Sequence, residues 1–333
     1  KDIQVELNKR KPTLDRISTT RKEEDRVELL SGVFNGHTTG APVSMLVWNK
    51  DIRSEVYESF LMKPRPGHAD YPARIKYGGF NDFRGGGRFS ARTTVGFVMA
   101  GAVAKKLLKL IGVEVLAHVV EIGGVGLKRQ PTIGEIRKKA YARITRCVDS
   151  ETSKRMEKTI LDAKARKDSV GGIIECMAIN PPVGLGEPVF DPLDADIAQF
   201  LFCIPAVKGV EFGIGFKASR LKGSQNNDSY SIKKGKVVTL TNNAGGILGG
   251  LSSGMPIVVR AAFKPTSSIP TEQKTVNLKT MTKTGLRITG RYDACVVPRA
   301  VPIVESAVAI VLADHVLRSG VIASRGHRKW TPQ

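Results

Sequence analysis

The sequence predicts an α+β protein: a single large domain over residues 1–333, with strands packed on paired helices and an internal pseudo-twofold duplication. Three observations predict it. A glycine pattern, Gly32-x3-Gly36-x3-Gly40-x-Pro42, recurs as Gly246-x3-Gly250-x3-Gly254-x-Pro256. Each copy is followed by a strand-like run (43–48 and 257–263), an irregular polar loop and a long helix of small residues (91–110 and 300–317). Between the copies, strands and helices alternate irregularly with two helices in succession, which suits a sheet covered by helices better than a doubly wound parallel sheet. The first half runs over about 1–168, the second over about 169–320, and 321–333 forms a basic tail.

The elements follow in order. Ile3 and Leu7 form a short helical stripe that Pro12 ends. Thr132-x-x-Glu135 is a capping box that opens a helix to about residue 145. A charged helix over 151–167 precedes a β-rich run over 170–179, and Asp191-Pro192 opens a helix through 202. Residues 207–212 read as a strand, and 227–236 (NDSYSIKKGK) as one long polar loop.

Composition narrows the function. With 333 residues, 41% of them hydrophobic, the chain can bury a sizeable core, which excludes disorder and collagen. No run approaches eighteen uninterrupted apolar residues and no signal segment opens the chain, so a membrane location is not expected. Cys147, Cys176, Cys203 and Cys295 are widely spaced without a C-x-x-C pair, as expected of reduced, mostly core thiols in a cytoplasmic protein. No histidine pair has metal-ligand spacing, so no metal is expected. The net charge of +21 calls for an anionic partner. Aromatics make up only 6%, and no helix-turn-helix, zinc-finger or RNP pattern occurs, which argues against nucleic acid and leaves phosphorylated small molecules.

The basic run Lys9-Arg10-Lys11, with Arg16, Arg21 and Lys22 beyond it, reads by itself as a solvated helix end. Arg84-Gly85-Gly86-Gly87-Arg88-Phe89-Ser90-Ala91-Arg92 is a different signal: a flexible triple glycine between arginines, directly before a helix. Glycines admit close backbone approach, and arginine gives bidentate phosphate contacts, so the segment reads as an anion cradle. Lys264-Pro265-Thr266-Ser267-Ser268, an ammonium and three hydroxyls after a strand, reads as an anion grip.

These two segments join Arg65-Pro66-Gly67-His68-Ala69-Asp70-Tyr71, the run from Thr241 to Gly250 (TNNAGGILGG), and Arg291-Tyr292-Asp293-Ala294-Cys295. Together they resemble the signatures of the chorismate synthase family across essentially the whole chain. The resemblance implies a β-α-α-β sandwich and a homotetramer. It implies anti-1,4 elimination of phosphate from 5-enolpyruvylshikimate 3-phosphate to give chorismate, with reduced FMN and no net redox change, and with NADPH as one source of the reducing equivalents. It implies that Arg88, Phe89, Ser90, Pro205, Ala206, Asn243, Ala244, Gly249, Lys264, Pro265, Thr266, Ser267, Ser268 and Arg291 contact the flavin. Arg10 and Arg16 match positions tied to the substrate or NADP. His68 would exchange a proton with the reduced flavin, and Asp293 would help remove the C6 proton; the blander alternative for Asp293 is a loop carboxylate paired with Arg291 or Arg299.

The chain departs from the family pattern in three places. The usual R-S-S is Arg88-Phe89-Ser90, and the usual R-H-D is Arg291-Tyr292-Asp293. No G-E-S-H-G-like segment occurs and no Met precedes Lys1. The expectation is therefore a chain that lacks its first catalytic segment, binds FMN weakly and turns over poorly. The rival readings are a basic nucleic-acid-binding protein, carried by charge alone, and a family member that serves only as a binding subunit.

Overall fold

The computed structural model describes residues 1–12, 15–18, 24–50 and 55–322; Arg21, Lys22, His327 and most of the basic tail lie outside the described residues. In chain order, α1 (Asp2–Arg10) precedes β1 (Val27–Ser31), β2 (Val33–Phe34), β3 (His37–Thr38), β4 (Ser44–Val47), α2 (Asp70–Lys76) and α3 (Val95–Lys109). Next come β5 (Glu114–Ile122), β6 (Val125–Gly126), α4 (Ile133–Lys139), α5 (Ser150–Ala165), β7 (Gly172–Ile179), α6 (Leu193–Phe202) and β8 (Val207–Phe212). The chain continues through α7 (Gly223–Asn226), β9 (Tyr230–Lys233), β10 (Lys236–Thr239), β11 (Ile247–Leu248), β12 (Leu251–Ser252) and β13 (Ile257–Phe263). It then forms β14 (Gln273–Asn277), β15 (Thr282–Leu286) and α8 (Val297–Arg318).

The core forms where a five-stranded antiparallel sheet, in the order β6-β5-β7-β13-β8, meets helices α3, α6 and α8. Alternation puts Val115, Ala117 and Val119 of β5, Ile174, Cys176 and Ala178 of β7, and Ile257, Val259 and Ala261 of β13 into one buried cluster. Each fully buried Val or Ile contributes about 1.5–3 kcal/mol relative to exposure. α8 is apolar on every side because it is enclosed: it is the one described helix long and apolar enough to cross a membrane, yet 83% of that window is buried inside the protein. It crosses α3 at Gly101, where any Cβ would collide with Ser306.

The two glycine repeats fold alike. Gly32, Gly36 and Gly40 have φ of 79°, 79° and 84°; Gly246, Gly250 and Gly254 have 82°, 78° and 86°. Val33 pairs with Thr38 and Phe34 with His37 in the first, as Ile247 pairs with Ser252 and Leu248 with Leu251 in the second. The hairpins close on matching bonds, Thr39 N–H to the Gly32 carbonyl (3.1 Å) and Ser253 N–H to the Gly246 carbonyl (2.9 Å). A Cβ on Gly32 would press on the Pro42 carbonyl, and one on Gly246 on the Pro256 carbonyl, so the leading glycine of each copy is required.

Most of the expected elements form within a few residues of their expected ends, β8 and β13 among them, and three expectations need correction. Residues 227–236 are not one polar loop: β9 and β10 form a hairpin, turning on Lys234 (φ 53°) and Gly235 (φ 71°), two consecutive left-handed residues that match the twist of paired strands. The Thr132–Glu135 capping box forms, but α4 stops at Lys139, short of 145, and passes into a 3-10 turn. Arg143 then leaves the helix in an extended conformation and donates to the Val148 carbonyl at 2.8 Å. The helix expected from residue 91 opens as a 3-10 turn, Ala91–Thr94, before α3.

Candidate active site

A cavity of about 820 Å³ opens at the C-terminal end of β13, against the first turns of α8 and the approach to α3. Its described lining includes six arginines and two lysines (Arg10, Arg65, Arg88, Arg92, Arg291, Arg299, Lys208 and Lys264) but one carboxylate, Asp293. Phe89, Ile204, Ala206, Phe263 and Ile303 add an apolar part.

The 84–92 loop is shaped by its glycines: Gly85, Gly86 and Gly87 all have positive φ, which lets the chain double back and bring Arg88, Phe89 and Ser90 to the cavity. Ser90 Oγ accepts the Arg92 N–H, and Arg92 Nη1 donates to the Gly85 carbonyl at 3.0 Å, closing the loop on itself. Arg88 lies 6.0 Å from the Tyr77 ring centre. Arg84 turns away to pair with Asp82 at the surface.

In the R-P-G-H-A-D segment, Arg65 clamps Asp70 with two bonds of 2.7 Å, and His68 Nδ1 lies 2.7 Å from Asp70 Oδ1. The Arg65 guanidinium stacks 4.5 Å from the Phe60 ring centre and donates to Ser268 Oγ at 3.2 Å. Burial alone would raise the Asp70 pKa, but the bonds from Arg65 and His68 outweigh it and hold the carboxyl well below the usual range.

Lys264 to Ser268 knits three loops together. The Lys264 N–H donates to the Ala206 carbonyl at 2.9 Å, its ammonium donates to the Gly67 carbonyl, and Thr266 Oγ1 donates to the Asp293 carbonyl at 2.9 Å. Ala206 holds a left-handed φ of 76°, a strained conformation for a residue with a Cβ. Burial first, and the neighbouring Lys208 charge second, lower the Lys264 pKa. Arg10 comes from the end of α1 and is buried; it pairs with Asp25 at 2.6 Å and donates to the carbonyls of Ala91 and Arg92.

The cavity thus brings together His68, Asp293, Arg88, Phe89, Ser90, Pro205, Ala206, Lys264, Pro265, Thr266, Ser267, Ser268, Arg291 and Arg10. It does not bring in four others. Arg16 pairs with Glu157 of α5 with its side chain 70% exposed. Asn243 and Ala244 give their backbone N–H groups to Asp228, at 2.7 and 2.9 Å, and Gly249 sits in the β11–β12 turn; none of these four lines the cavity. Sequence reasoning assigned no role to Arg65, Asp70 or Lys208, whereas Arg92 stood in the expected anion cradle and Arg299 pairs with Asp293 as the blander alternative had it. Arg65 and Asp70 stand in a quoted motif and Lys208 lies two residues after Ala206, and that proximity was the signal available.

Comparison with known proteins agrees with this geometry. The family model described as chorismate synthase matches residues 1–317. The chain is 53% identical over 321 residues to a chorismate synthase of Dehalococcoides mccartyi, covering 96% of this chain and 88% of that protein. It is 51% identical over 322 residues to the chorismate synthase of Methanococcoides burtonii (96% and 87%) and 52% over 317 residues to that of Thermococcus kodakarensis (95% and 88%). A crystal structure of chorismate synthase superposes with a TM-score of 0.74 at 31% identity, covering 96% of this chain and 83% of that one. With half its residues identical across nearly its whole length, the same mixed fold and a cation-lined cavity, the chain belongs to the chorismate synthase family and is a phosphate-eliminating lyase of the shikimate pathway.

Proposed function

We propose that this cavity holds 5-enolpyruvylshikimate 3-phosphate together with the reduced FMN that the family uses. The observation that carries the reading is the lining of eight Lys and Arg side chains against one carboxylate. Asp25, Asp70 and Asp293 pair with Arg10, Arg65 and Arg299 respectively, and eight lining cations against one lining carboxylate leave a positive field. A flavin phosphate and a substrate with one phosphate and two carboxylates suit that field. The volume, near the top of the roughly 300–1,000 Å³ of small-molecule sites, suits two ligands.

The residues fit the flavin in kind. Lys264 to Ser268 and Arg291 would hold its phosphate end, and Phe89 with the Pro205-Ala206 turn its ring. When bound, reduced FMN supplies transient electron density to the substrate's allylic system, with no net oxidation. The chain's own groups do the remaining work. As the C3–O bond breaks, the arginines and lysines stabilise the charge on the departing phosphate. Asp293 helps remove the proton from C6, and His68 exchanges a proton at its ring nitrogen with the flavin. Arg16, Asn243, Ala244 and Gly249 have no part in the site of a single chain on this reading.

The reading extends to the chain's organisation. The matching hairpins of the two glycine repeats support a duplication, and the sheet, which joins β5 of the first half to β7, β8 and β13 of the second, supports one domain. Exposed Val189, Phe190 and Phe216 support a homotetramer, and four unpaired thiols a cytoplasmic setting.

The test is anaerobic titration with reduced FMN and substrate. Phosphate release with a flavin spectral change is expected, and both are lost in His68→Gln. Retained turnover in that variant would overturn the role of His68, and nucleic-acid binding without phosphate release would favour the basic-protein reading. Replacing pre-reduced FMN with oxidised FMN and NADPH decides whether the chain reduces its own flavin.

A further inference from the structure

The geometry points to Asp70 as the positioning residue for His68: with Arg65 clamping it, the Asp70 carboxylate fixes a proton on His68 Nδ1 and reserves Nε2 for proton exchange. The inference rests on the reading of His68 given above and deepens it.

Two nitrogen atoms crowd Asp70 Oδ1. Arg65 Nη2 donates to it at 2.7 Å, and His68 Nδ1 lies 2.7 Å from it. Arg65 Nη2 and His68 Nδ1 are themselves 3.1 Å apart. A guanidinium has donors only, and an ionised carboxylate has acceptors only. If Nδ1 carried no proton, its lone pair would face a carboxylate oxygen across 2.7 Å, a repulsive contact. With the proton on Nδ1, the charged Asp70 oxygen gains a second donor at 2.7 Å, and this shorter contact outweighs the 3.1 Å approach of Arg65 Nη2, whose N–H a bare Nδ1 would accept. Neutral imidazole has a single N–H, so Nε2 is then the basic atom.

Arg65 makes this assignment durable. Both Asp70 oxygens are engaged, since Oδ2 accepts the Arg65 backbone N–H at 3.0 Å and Nε at 2.7 Å. The carboxyl is held ionised far below neutrality, so it orients the imidazole without taking its proton. Arg65 is itself fixed, its side chain 5% exposed between the Phe60 ring and Ser268. The relay therefore runs from the Lys264–Ser268 segment through Arg65 and Asp70 to the histidine; all but Asp70 line the cavity.

The test is 15N NMR of the full chain labelled with 15N-histidine, with the His68 signal, one of five histidines, assigned by its absence in His68→Gln. Neutral His68 is expected to carry its proton on Nδ1 in the wild type. In Asp70→Asn, whose amide can donate to Nδ1, the Nε2–H form is expected to appear. With reduced FMN and substrate, Asp70→Asn should lower kcat about 10- to 100-fold, part of the roughly 100- to 10,000-fold that a positioned acid–base group supplies. KM should change little, and the Asp70→Asn/His68→Gln double variant should be no slower than His68→Gln alone. An Nε2–H wild type overturns the proposal, even if Asp70→Asn fails to fold. So does an unchanged tautomer in a folded Asp70→Asn, or additive losses in the double variant. Normal turnover by His68→Gln alongside an Nδ1–H wild type overturns the catalytic reading and leaves the tautomer assignment standing.

Discussion

Arg299 donates to Asp293 across 2.8 Å, and both side chains line the cavity. The pair links the first turn of α8 to the loop before it and places a carboxylate among the cations of the cavity lining. A carboxylate there either removes a proton in the rate-determining step or only braces Arg299, and the two roles separate kinetically. Asp293→Asn keeps the shape and removes the base, so kcat should fall about 100- to 10,000-fold with KM little changed. Arg299→Met should cost less in kcat and more in KM. Steady-state phosphate release checks both, and a raised KM with normal kcat in Asp293→Asn would reduce that residue to a brace.

How far this site was legible in the sequence depends on the kind of residue. The glycines of the 84–92 loop and the repeated glycine pattern announce themselves, because positive φ and close approach admit almost nothing else. The Lys264–Ser268 string is legible as a run of donors after a strand. The partners are not: nothing in R-P-G-H-A-D says that Arg65 would turn back onto Asp70 and not outward to an anion, because that choice is made by Phe60 and by Ser268, two hundred residues away. The same limit holds at Asn243 and Ala244, where nothing in the motif says that their backbone N–H groups would hold Asp228.

Gly87 carries a prediction about the cradle. Its φ of 54° and ψ of −142° are poorly open to other residues, and a Cβ there would land on the Asp82 carbonyl oxygen. Gly87→Ala should therefore displace Arg88 and Phe89 and weaken reduced-FMN affinity about tenfold, which corresponds to about 1.4 kcal/mol. Gly36→Ala is the control: its φ of 79° is equally left-handed, but nothing lies within 4 Å and it does not line the cavity, so flavin affinity should be kept. Spectral titration measures both, and equal affinities in the two variants would remove the loop from the flavin site.

The last prediction concerns how α1 delivers Arg10. Lys105 of α3, its side chain 17% exposed, lies 2.7 Å from Glu6 of α1 and 2.6 Å from Glu305 of α8, while Glu305 also accepts the Ala117 N–H of β5 at 3.0 Å. One ammonium thus ties three helices and the sheet together. Lys105→Met leaves Glu305 enclosed without its counter-charge and Glu6 with Lys9 alone, and should destabilise by about 3–5 kcal/mol. Adding Glu305→Gln should cost less than the sum of the single effects. Burial would lower the Lys105 pKa, but Glu305 and Glu6 outweigh it and raise it; burial would raise that of Glu6, but Lys105 and Lys9 outweigh it and lower it. The signs set the pH window. The Glu6 contribution is present above its unfolded pKa of about 4.3 and is lost as pH falls through its lower folded value. The Lys105 contribution is full below about 10.4 and is lost only as pH rises through its higher folded value. Urea midpoints should therefore fall in acid below about pH 4 in the wild type and fall less steeply in Lys105→Met, which has already lost the pair. Because α1 ends at Arg10, the same variant should also raise the substrate KM; an unchanged midpoint and KM would show that α1 is held by its apolar face through Leu7 alone.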